Sequence, residues 1–292
     1  MALLAAACTA SAVTGGAPTS AGSPPSPGSQ SGSPSEDPSA GALRLILART
    51  TPRRSFYYGY RYPKLVFEIA STQSQNDLRI DVVDAAGESV RTFFRNDVPP
   101  RERVRIRWDG TGSSGRPAPN GRYTFQVSSQ AGAVATQSAT PSQAIDPRFA
   151  FFGYAFPVLG PHDFGGAAAR FGAPRAGHTH QGQDIMARCG QIEVAARGGK
   201  VQYAGYEANA GNYIVIDGKG TGFDFMYAHL ARPSPLKTGD PVRTGQPIGI
   251  VGQTGDATAC HLHFEMWTAP GWYEGGSPID PLPYLQRWDR YS

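Results

Sequence analysis

The sequence contains no uninterrupted apolar run of the roughly 20 residues that a membrane-spanning helix requires. Long amphipathic helical patterns are also missing, apart from a short one at 281–290. Instead, 36 glycines and 25 prolines punctuate many short stretches in which apolar and polar residues alternate. This pattern is typical of short strands joined by turns, so we predict an all-β chain.

Strong charge is missing as well, because the formal net charge is only +4 and the isoelectric point is about 9.0. Arginine and aromatic residues do cluster at 53–61, a combination that nucleic-acid surfaces often carry. No RNA- or DNA-binding motif accompanies the cluster. We therefore predict that nucleic acid is not a partner.

The first part of the chain, residues 1–42, is predicted to lack a core. Its first eight residues are apolar and small, and they resemble the end of a signal peptide without the usual basic region. Residues 5–8 are close to a bacterial lipobox, although leucine is expected where Ala5 stands, and a lipid anchor at Cys8 is left open. The Ser-, Pro- and Gly-rich remainder predicts a disordered tether.

A folded unit is predicted at 43–140. Residues 104–108 alternate cleanly, and Asp109-Gly110 then opens a turn before a further strand at 121–127. The motif from Trp108 to Phe125 is similar to the Ig-like sandwich of the flagellar-hook capping protein family. The resemblance implies that its tryptophan and tyrosine are core residues, and we interpret this unit as a spacer or a weak binding module.

The most informative segment is His-Leu-His-Phe-Glu at 261–265. On a strand, His261, His263 and Glu265 share one face, while Leu262 and its alternating neighbours Phe264 and Met266 point toward a core. Two histidines spaced in this way lie about 7 Å apart, too far for a hydrogen bond between them. The spacing suits one histidine that binds a metal ion and a second that reaches the water on that metal.

Other histidines fall in ordered motifs upstream of this strand. His180 and Asp184 form an HxxxD segment, and His229 follows Tyr227 in a second apolar run. With the glycine-containing segments at 195–201, 239–242, 245–249 and 252–255, the region from 156 to 281 resembles the zinc metallopeptidases of the lysostaphin and LytM type, peptidase family M23. The resemblance implies an antiparallel β-sheet peptidase domain, which we place at 145–292.

The resemblance also implies a role for each motif residue. His180, Asp184 and His263 match the family's zinc ligands, so Zn²⁺ is the expected cofactor. Two imidazoles and a carboxylate leave the fourth tetrahedral position for water, as catalytic zinc requires. His229 and His261 match the family's catalytic histidines, but the sequence does not say which is the general base and which assists the oxyanion or the leaving amine.

Four further residues near these motifs need interpretation. Tyr227 shares a strand face with His229 and could donate to an oxyanion, although a core tyrosine is the simpler interpretation. Glu265 could hold a ligand histidine or could lie at the rim, and we leave it out of the site. His178 is interpreted as a loop histidine, and His162, in a Gly/Pro-rich stretch, as solvent-exposed.

Two of the three cysteines flank the predicted site. Cys189 follows the HxxxD segment, and Cys260 immediately precedes His261. We predict a Cys189–Cys260 disulfide, with two buried thiols as the alternative; Cys260 as a zinc ligand is disfavoured because it and His263 would face opposite sides of the strand. A disulfide favours an oxidising, extracytoplasmic compartment.

Two functional hypotheses follow for a bacterial, secreted or envelope-anchored protein. The first is a zinc endopeptidase that hydrolyses peptide cross-links of peptidoglycan, whose peptides are then the partner. The second is a non-catalytic envelope protein whose LytM-like domain binds the wall or regulates another hydrolase. The presence of all three ligands and both catalytic histidines favours the first hypothesis.

Overall fold

A computed structural model describes residues 43–130, 135–137 and 145–291. The predicted signal-like segment, the tether and the lipid-anchor candidate Cys8 lie outside these described residues. Within them, the regular structure is almost entirely strand, which confirms the all-β prediction. Among the described helices, none has the length and apolar character needed to cross a membrane.

Ten strands build the first part of the described chain. They are β1 (Arg44–Thr51), β2 (Arg54–Phe56), β3 (Lys64–Ala70), β4 (Asn76–Val83), β5 (Ser89–Val98), β6 (Val104–Arg107), β7 (Gly121–Ser129), β8 (Thr136–Gln137), β9 (Ile145–Asp146) and β10 (Arg148–Phe152). One sheet has the order β6-β3-β1-β8, with β9 also paired to β1, and the other has the order β2-β10-β7-β4-β5.

The two sheets share one apolar core because alternate residues of facing strands point inward. On β3 and β4, for example, Leu65, Phe67 and Ile80 are completely buried. Trp108 is also completely buried, and its indole nitrogen donates to Thr111 O at 2.8 Å. This arrangement is the predicted β-sandwich.

The end of the sandwich differs from the boundary we placed at residue 140. Strand β10 pairs with β7 and β2, and β9 pairs with β1, so residues 145–152 belong to the sandwich. Phe151 packs 5.0 Å from the Trp108 ring, between ring centroids. Pairing between strands distant in sequence decides this boundary, and the local pattern at 145–152 carries no sign of it.

Twelve strands, one 3₁₀ turn (Ala167–Ala169) and one α-helix form the rest of the described chain. They are β11 (His162–Asp163), β12 (Pro174–Arg175), β13 (His178–Thr179), β14 (Gln183–Ala187), β15 (Ile192–Val194), β16 (Gly199–Glu207), β17 (Gly211–Gly218), β18 (Phe223–Leu230), β19 (Pro241–Val242), β20 (Pro247–Ile250), β21 (His261–Thr268), β22 (Pro278–Ile279) and α1 (Leu282–Asp289). The main sheet has the order β11-β14-β21-β18-β17-β16-β19, with β22 also paired to β21.

One face of the main sheet is covered by an apolar core near its centre. On β21, Leu262, Phe264 and Met266 point into the larger core, as their alternation predicts. Helix α1 closes this core through Leu285 and Trp288, which are both buried. The opposite face of the same strand is therefore left for the polar residues of the candidate site.

A buried arginine joins the sandwich to the second sheet system. The Arg197 guanidinium donates to Gly153 O at 2.6 Å and to Lys219 O at 2.9 and 3.1 Å. It also lies 4.7 Å from the centre of the Tyr57 ring and 5.1 Å from that of Tyr154. Part of the arginine-aromatic cluster at 53–61 thus forms a contact within the chain.

A carboxyl group is buried within the second set of sheets. Glu193 on β15 is completely buried, and neither of its carboxyl oxygens has a hydrogen-bond partner among the described residues. Burial raises the pKa of Glu193 well above its ordinary value of 4.5, because desolvation penalises the charged form. The folded chain therefore favours the protonated form of this side chain.

We expect Glu193→Gln to change the pH dependence of stability. The pKa of Glu193 is higher in the folded chain than in the unfolded chain. Its contribution to the free energy of unfolding is therefore fully present below the unfolded pKa and is lost as pH rises toward the folded pKa. The neutral amide does not titrate. The free energy of unfolding of the variant should therefore rise relative to that of the wild type, by about 1.4 kcal/mol for each pH unit between the two pKa values.

Urea unfolding at pH 5 and pH 8 measures this difference. Glu102→Gln is the matched control, because Glu102 is exposed. The difference in stability between this variant and the wild type should be the same at both pH values. Parallel stability profiles for wild type and Glu193→Gln would contradict the assignment of a raised pKa.

Candidate metal and catalytic site

Strand β21 lies between β14 and β18, and this order brings the predicted residues together. Asp184 on β14 is directly opposite His263 on β21, and Ala228 on β18 is opposite His263 on the other side. Asp184 Oδ1 consequently lies 2.9 Å from His263 Nδ1. Antiparallel pairing thus joins two motifs that are 79 residues apart in sequence.

His180 reaches the same point from the segment before β14. Its backbone N–H donates to Ala173 O, and its carbonyl accepts from Gly172 N, each at 2.8 Å. With the backbone held in this way, His180 Nε2 lies 3.0 Å from Asp184 Oδ1 and 2.9 Å from His263 Nδ1. The three residues predicted as metal ligands each offer one atom within 4.8 Å of the others.

The glycine between His180 and Asp184 is required by this close approach. A Cβ atom on Gly182 would lie 2.4 Å from Phe264 O and 2.9 Å from His263 Cε1. Neither contact is tolerable, and the first is with a strand backbone that cannot move without breaking its pairing. A side chain at this position would therefore push β14 away from β21.

Hydrogen bonds behind His180 and His263 fix which ring nitrogen of each faces the cluster. His180 Nδ1 donates to Arg170 O at 2.8 Å, and His263 Nε2 donates to Glu265 Oε1 at 2.9 Å. Each bond leaves the opposite ring nitrogen free to offer a lone pair. Two imidazole nitrogens and one carboxylate oxygen are a donor set of catalytic zinc sites, so the residues fit a zinc ion.

The electrostatics of the cluster favour a bound positive charge. Burial by itself raises the pKa of Asp184, but hydrogen bonds from His180 and His263 hold it well below its ordinary value. Burial alone lowers the pKa of His263, but hydrogen bonds with Asp184 and Glu265 raise it to about 9. The cluster thus holds a proton tightly, and a divalent cation that binds there must displace that proton.

The two histidines predicted as catalytic lie beside this cluster. Their ring centroids are 4.7 Å apart, and His261 Nε2 lies 3.6 Å from Asp184 Oδ1. His229 has φ = 64° near the end of β18, a conformation uncommon outside glycine, which the Ala210 O hydrogen bond to its N–H helps to hold. Each ring donates from Nδ1 to a backbone carbonyl, His229 to Thr254 O and His261 to Ala259 O.

These contacts prepare both rings to accept a proton at Nε2. Burial lowers the pKa of His229, with further lowering by the charges of His263 and His261, to about 4. Burial also lowers the pKa of His261. Both rings are therefore neutral near pH 7, and each presents an unprotonated Nε2.

The structure distinguishes the two interpretations of Tyr227 and of Glu265. Tyr227 is completely buried, and its hydroxyl accepts the Ala196 N–H at 2.7 Å, so it is a core residue pointing away from the site. Glu265 is only 5% exposed and holds His263. It supports the site from behind and does not lie at the rim.

The two remaining histidines lie outside the cluster. His178 is exposed, but it lies on the two-residue strand β13 and not in the loop that we predicted. The expectation of a solvent-exposed His162 is wrong, because its side chain is 11% exposed and stacks on Phe156 with ring centroids 4.1 Å apart. Its Nε2 also bonds to Asp289 at the end of α1.

Comparison with known proteins agrees with these motifs. Residues 178–281 match the model of peptidase family M23, and residues 63–133 match the FlgD Ig-like domain. Residues 178–281 are thus similar to M23 peptidases, and we call this region the M23 domain; it follows a region similar to an Ig-like domain. Both resemblances that the sequence predicts are thereby confirmed.

Relatives of the M23 domain include named endopeptidases. The chain is 38% identical over 112 residues to peptidoglycan DD-endopeptidase ShyC of Vibrio cholerae, which covers 36% of this chain and 25% of that protein. It is 35% identical over 112 residues to lysostaphin of Staphylococcus simulans, covering 38% of this chain and 22% of that protein. The chain therefore spans a quarter or less of the length of these curated relatives.

Among solved structures, the lysostaphin catalytic domain of Staphylococcus simulans is similar. The identity is 30%, the match covers 43% of this chain and 92% of that domain, and the TM-score is 0.37.

An arginine side chain also lies next to the cluster, at a position that sequence patterns do not indicate. Arg175 Nη2 lies 3.3 Å from Asp184 Oδ2 and donates to Ala168 O at 2.8 Å. It thereby occupies the carboxylate oxygen that does not face the histidines. Nothing in the spacing of Arg175 from the HxxxD motif signals this contact, which depends on how β12 folds back.

Two tryptophans behind Glu265 are a second feature that motif reasoning misses. The indole nitrogens of Trp267 and Trp272 donate to Glu265 Oε2 at 2.6 and 3.2 Å. Alternation along β21 would have placed Trp267 on the face of His263. Trp272 comes from a loop and carries no such signal.

The predicted disulfide is present. Cys189 and Cys260 are bonded, with their Cα atoms 5.3 Å apart, and they join the loop after β14 to the start of β21. This bond ties together the two segments that supply Asp184 and the His261–His263 pair. Cys260 is consequently not available as a metal ligand.

Reduction of this disulfide should destabilise the M23 domain without removing its metal site. The bond closes a loop over a sequence separation of 71, for which chain entropy gives about 4 kcal/mol. Denaturant unfolding of the Cys189→Ser/Cys260→Ser double variant measures the loss. The folded variant should keep its metal content, and loss of metal without unfolding would implicate a sulfur ligand instead.

Proposed function

We propose that this protein is a zinc endopeptidase that hydrolyses peptide cross-links of bacterial peptidoglycan. One observation carries the proposal: three donor atoms of His180, Asp184 and His263 converge beside two neutral histidines. The geometry supports hydrolysis because a group of metal-ligand atoms and two proton-accepting rings lie side by side. The named activities of the M23 relatives support a cell-wall substrate.

A zinc ion bound by His180, Asp184 and His263 would supply an acidified water and polarise the scissile carbonyl. The chain's own residues then divide the remaining tasks. His229 and His261 can each take a proton at Nε2, because their Nδ1 atoms are committed to carbonyl groups. One ring accepts the proton of the attacking water at Nε2 and passes that proton on to the departing amine. The other ring can stabilise the oxyanion when its own Nε2 carries a proton taken up from solvent.

Residues around the site keep these groups in place. Arg175 holds Asp184 Oδ2, which leaves Oδ1 toward the histidines. Glu265 holds the ring of His263 in the orientation that presents Nδ1. The low exposure of the histidines excludes most bulk water and strengthens each electrostatic contact.

Substrate and location follow as further parts of the proposal. One relative is named a peptidoglycan DD-endopeptidase, and another, from Staphylococcus capitis, a glycyl-glycine endopeptidase. Peptides that cross-link peptidoglycan are therefore the proposed substrate class. The disulfide supports an extracytoplasmic location, because the cytosol of most bacteria keeps thiols reduced.

The ligand assignment predicts a specific pattern of metal content. His180→Ala and His263→Ala should lose stoichiometric zinc, since each removes one of three protein ligands. His178→Ala is the matched control, because this exposed histidine lies two residues from His180 and outside the cluster. Elemental analysis of purified, folded protein measures zinc per chain, and full zinc in His180→Ala would refute the assignment.

The catalytic assignment predicts the opposite pattern for the other pair. His229→Ala and His261→Ala should retain zinc and fold but lose turnover by about 10²-fold or more, because general acid–base groups contribute at that level. Release of new amino groups from purified peptidoglycan, with and without a chelator, measures turnover. Near-normal rates in either variant would overturn its role, and zinc-loaded wild type without amino-group release would favour a wall-binding or regulatory function.

A further inference from the structure

A short loop lies behind the candidate metal site and meets it at two places. It comprises residues 269–276, follows β21 and contains Trp272, Tyr273 and Glu274; we call it the Trp-Tyr loop. The chemistry proposed above does not use these residues. Their contacts are nevertheless directed at the groups that surround two of the three metal ligands.

The first meeting point is Glu265. One carboxylate oxygen accepts from His263 Nε2 at 2.9 Å, and the other accepts the indole N–H groups of Trp267 and Trp272. The side chain is 5% exposed, so protein donors replace the water that would otherwise solvate the carboxylate. The two indoles therefore fix the carboxylate that fixes the His263 ring.

The second meeting point is next to His180. Tyr273 Oη donates to the side-chain oxygen of Gln181 at 3.2 Å, and Gln181 directly follows the ligand His180. The Tyr273 ring lies against Trp267 and Trp272, with ring centroids 5.0 and 4.7 Å away. A single loop thus touches the supports of two metal ligands that are 83 residues apart in sequence.

The loop is itself firmly built into the sheet. The Trp272 backbone N–H donates to Asp224 Oδ2 at 2.7 Å, and Gly271 has φ = 132°, where a Cβ would lie 2.6 Å from the same oxygen. The Trp272 ring packs on Tyr203 and Tyr213, with centroids 5.4 and 5.5 Å away. Because the loop is held in this way, the Trp272 indole can keep the Glu265 carboxylate in one orientation.

We infer that two indoles, those of Trp267 on β21 and Trp272 in the Trp-Tyr loop, position His263 for metal binding by acting through Glu265. The inference rests on the proposed metal site and adds the positioning residues that set its strength. A hydrogen-bonded carboxylate behind a ligand histidine holds its ring and tautomer, and loss of such a partner weakens metal binding. The indole donors extend this support by one further layer.

The test measures zinc binding by the folded, metal-depleted protein in competition with a chromophoric chelator, without any substrate. Trp272→Phe and Trp267→Phe each remove one indole donor and retain an aromatic ring. Each should weaken zinc binding on the order of fivefold, the effect of one hydrogen bond. Glu265→Gln leaves a single acceptor oxygen for three donors and should weaken it by about 10–100-fold.

Trp288→Phe is the matched control, because Trp288 is a buried tryptophan that packs against helix and core residues away from Glu265. It should bind zinc as the wild type does. The Co²⁺ absorption spectrum gives a second readout, since a displaced ligand ring changes the geometry around the metal and a general loss of stability does not.

Wild-type zinc affinity in folded Trp272→Phe and Trp267→Phe would overturn the inference and leave the proposed function standing. If Trp272→Phe fails to fold, the same measurement on Trp267→Phe decides, because its indole makes the shorter bond. A wild-type protein that binds no zinc would overturn both the inference and the proposed function.

Discussion

The antiparallel register of β14, β21 and β18 sets the distances on which the candidate site depends. It places Asp184 opposite His263 on one side and Ala228 opposite His263 on the other. A shift of one residue would turn each polar side chain of β21 into the apolar core and expose Leu262 and Phe264. The same burial that stabilises the sheet therefore holds the residues of the candidate site on the opposite face.

Buried polar groups in this protein are of two kinds, and the difference is informative. His180, His263 and Glu265 form a chain of hydrogen bonds in which each group has a partner. Glu193 is equally buried and has no such partner among the described residues. Satisfied polar networks specify one arrangement, whereas an unsatisfied carboxyl group costs stability and stays protonated. The buried polar residues of the candidate site are therefore those whose hydrogen bonds are satisfied.

The Ig-like domain and the M23 domain share more than a covalent link. Thr244 is completely buried, its hydroxyl donates to Tyr57 O, and its backbone pairs with Tyr58 and Tyr60. Together with Arg197, this contact gives the aromatic cluster at 53–61 a structural explanation. The family matches to separate segments of the chain do not report such a junction, because each covers one domain alone.

Much of the site could be predicted from local sequence because strand alternation has a period of two residues. His261, His263 and Glu265 on one face and Leu262 and Phe264 on the other follow from that period alone. The resemblance to a peptidase family then supplied the expected partners His180, Asp184 and His229. The all-β class likewise follows from short alternating segments separated by glycine and proline.

Tertiary structure alone decided the features that depend on contacts between distant segments. The extension of the sandwich to Phe152, the burial of His162, the approach of Arg175 to Asp184 and the Trp272 indole on Glu265 carry no local pattern. Each arises where a loop or an edge strand folds back on a sheet, and the free energy of that contact comes from burial and hydrogen bonding across the fold. The sequence by itself determined which residues can bind a metal, and packing decided which residues hold them in place.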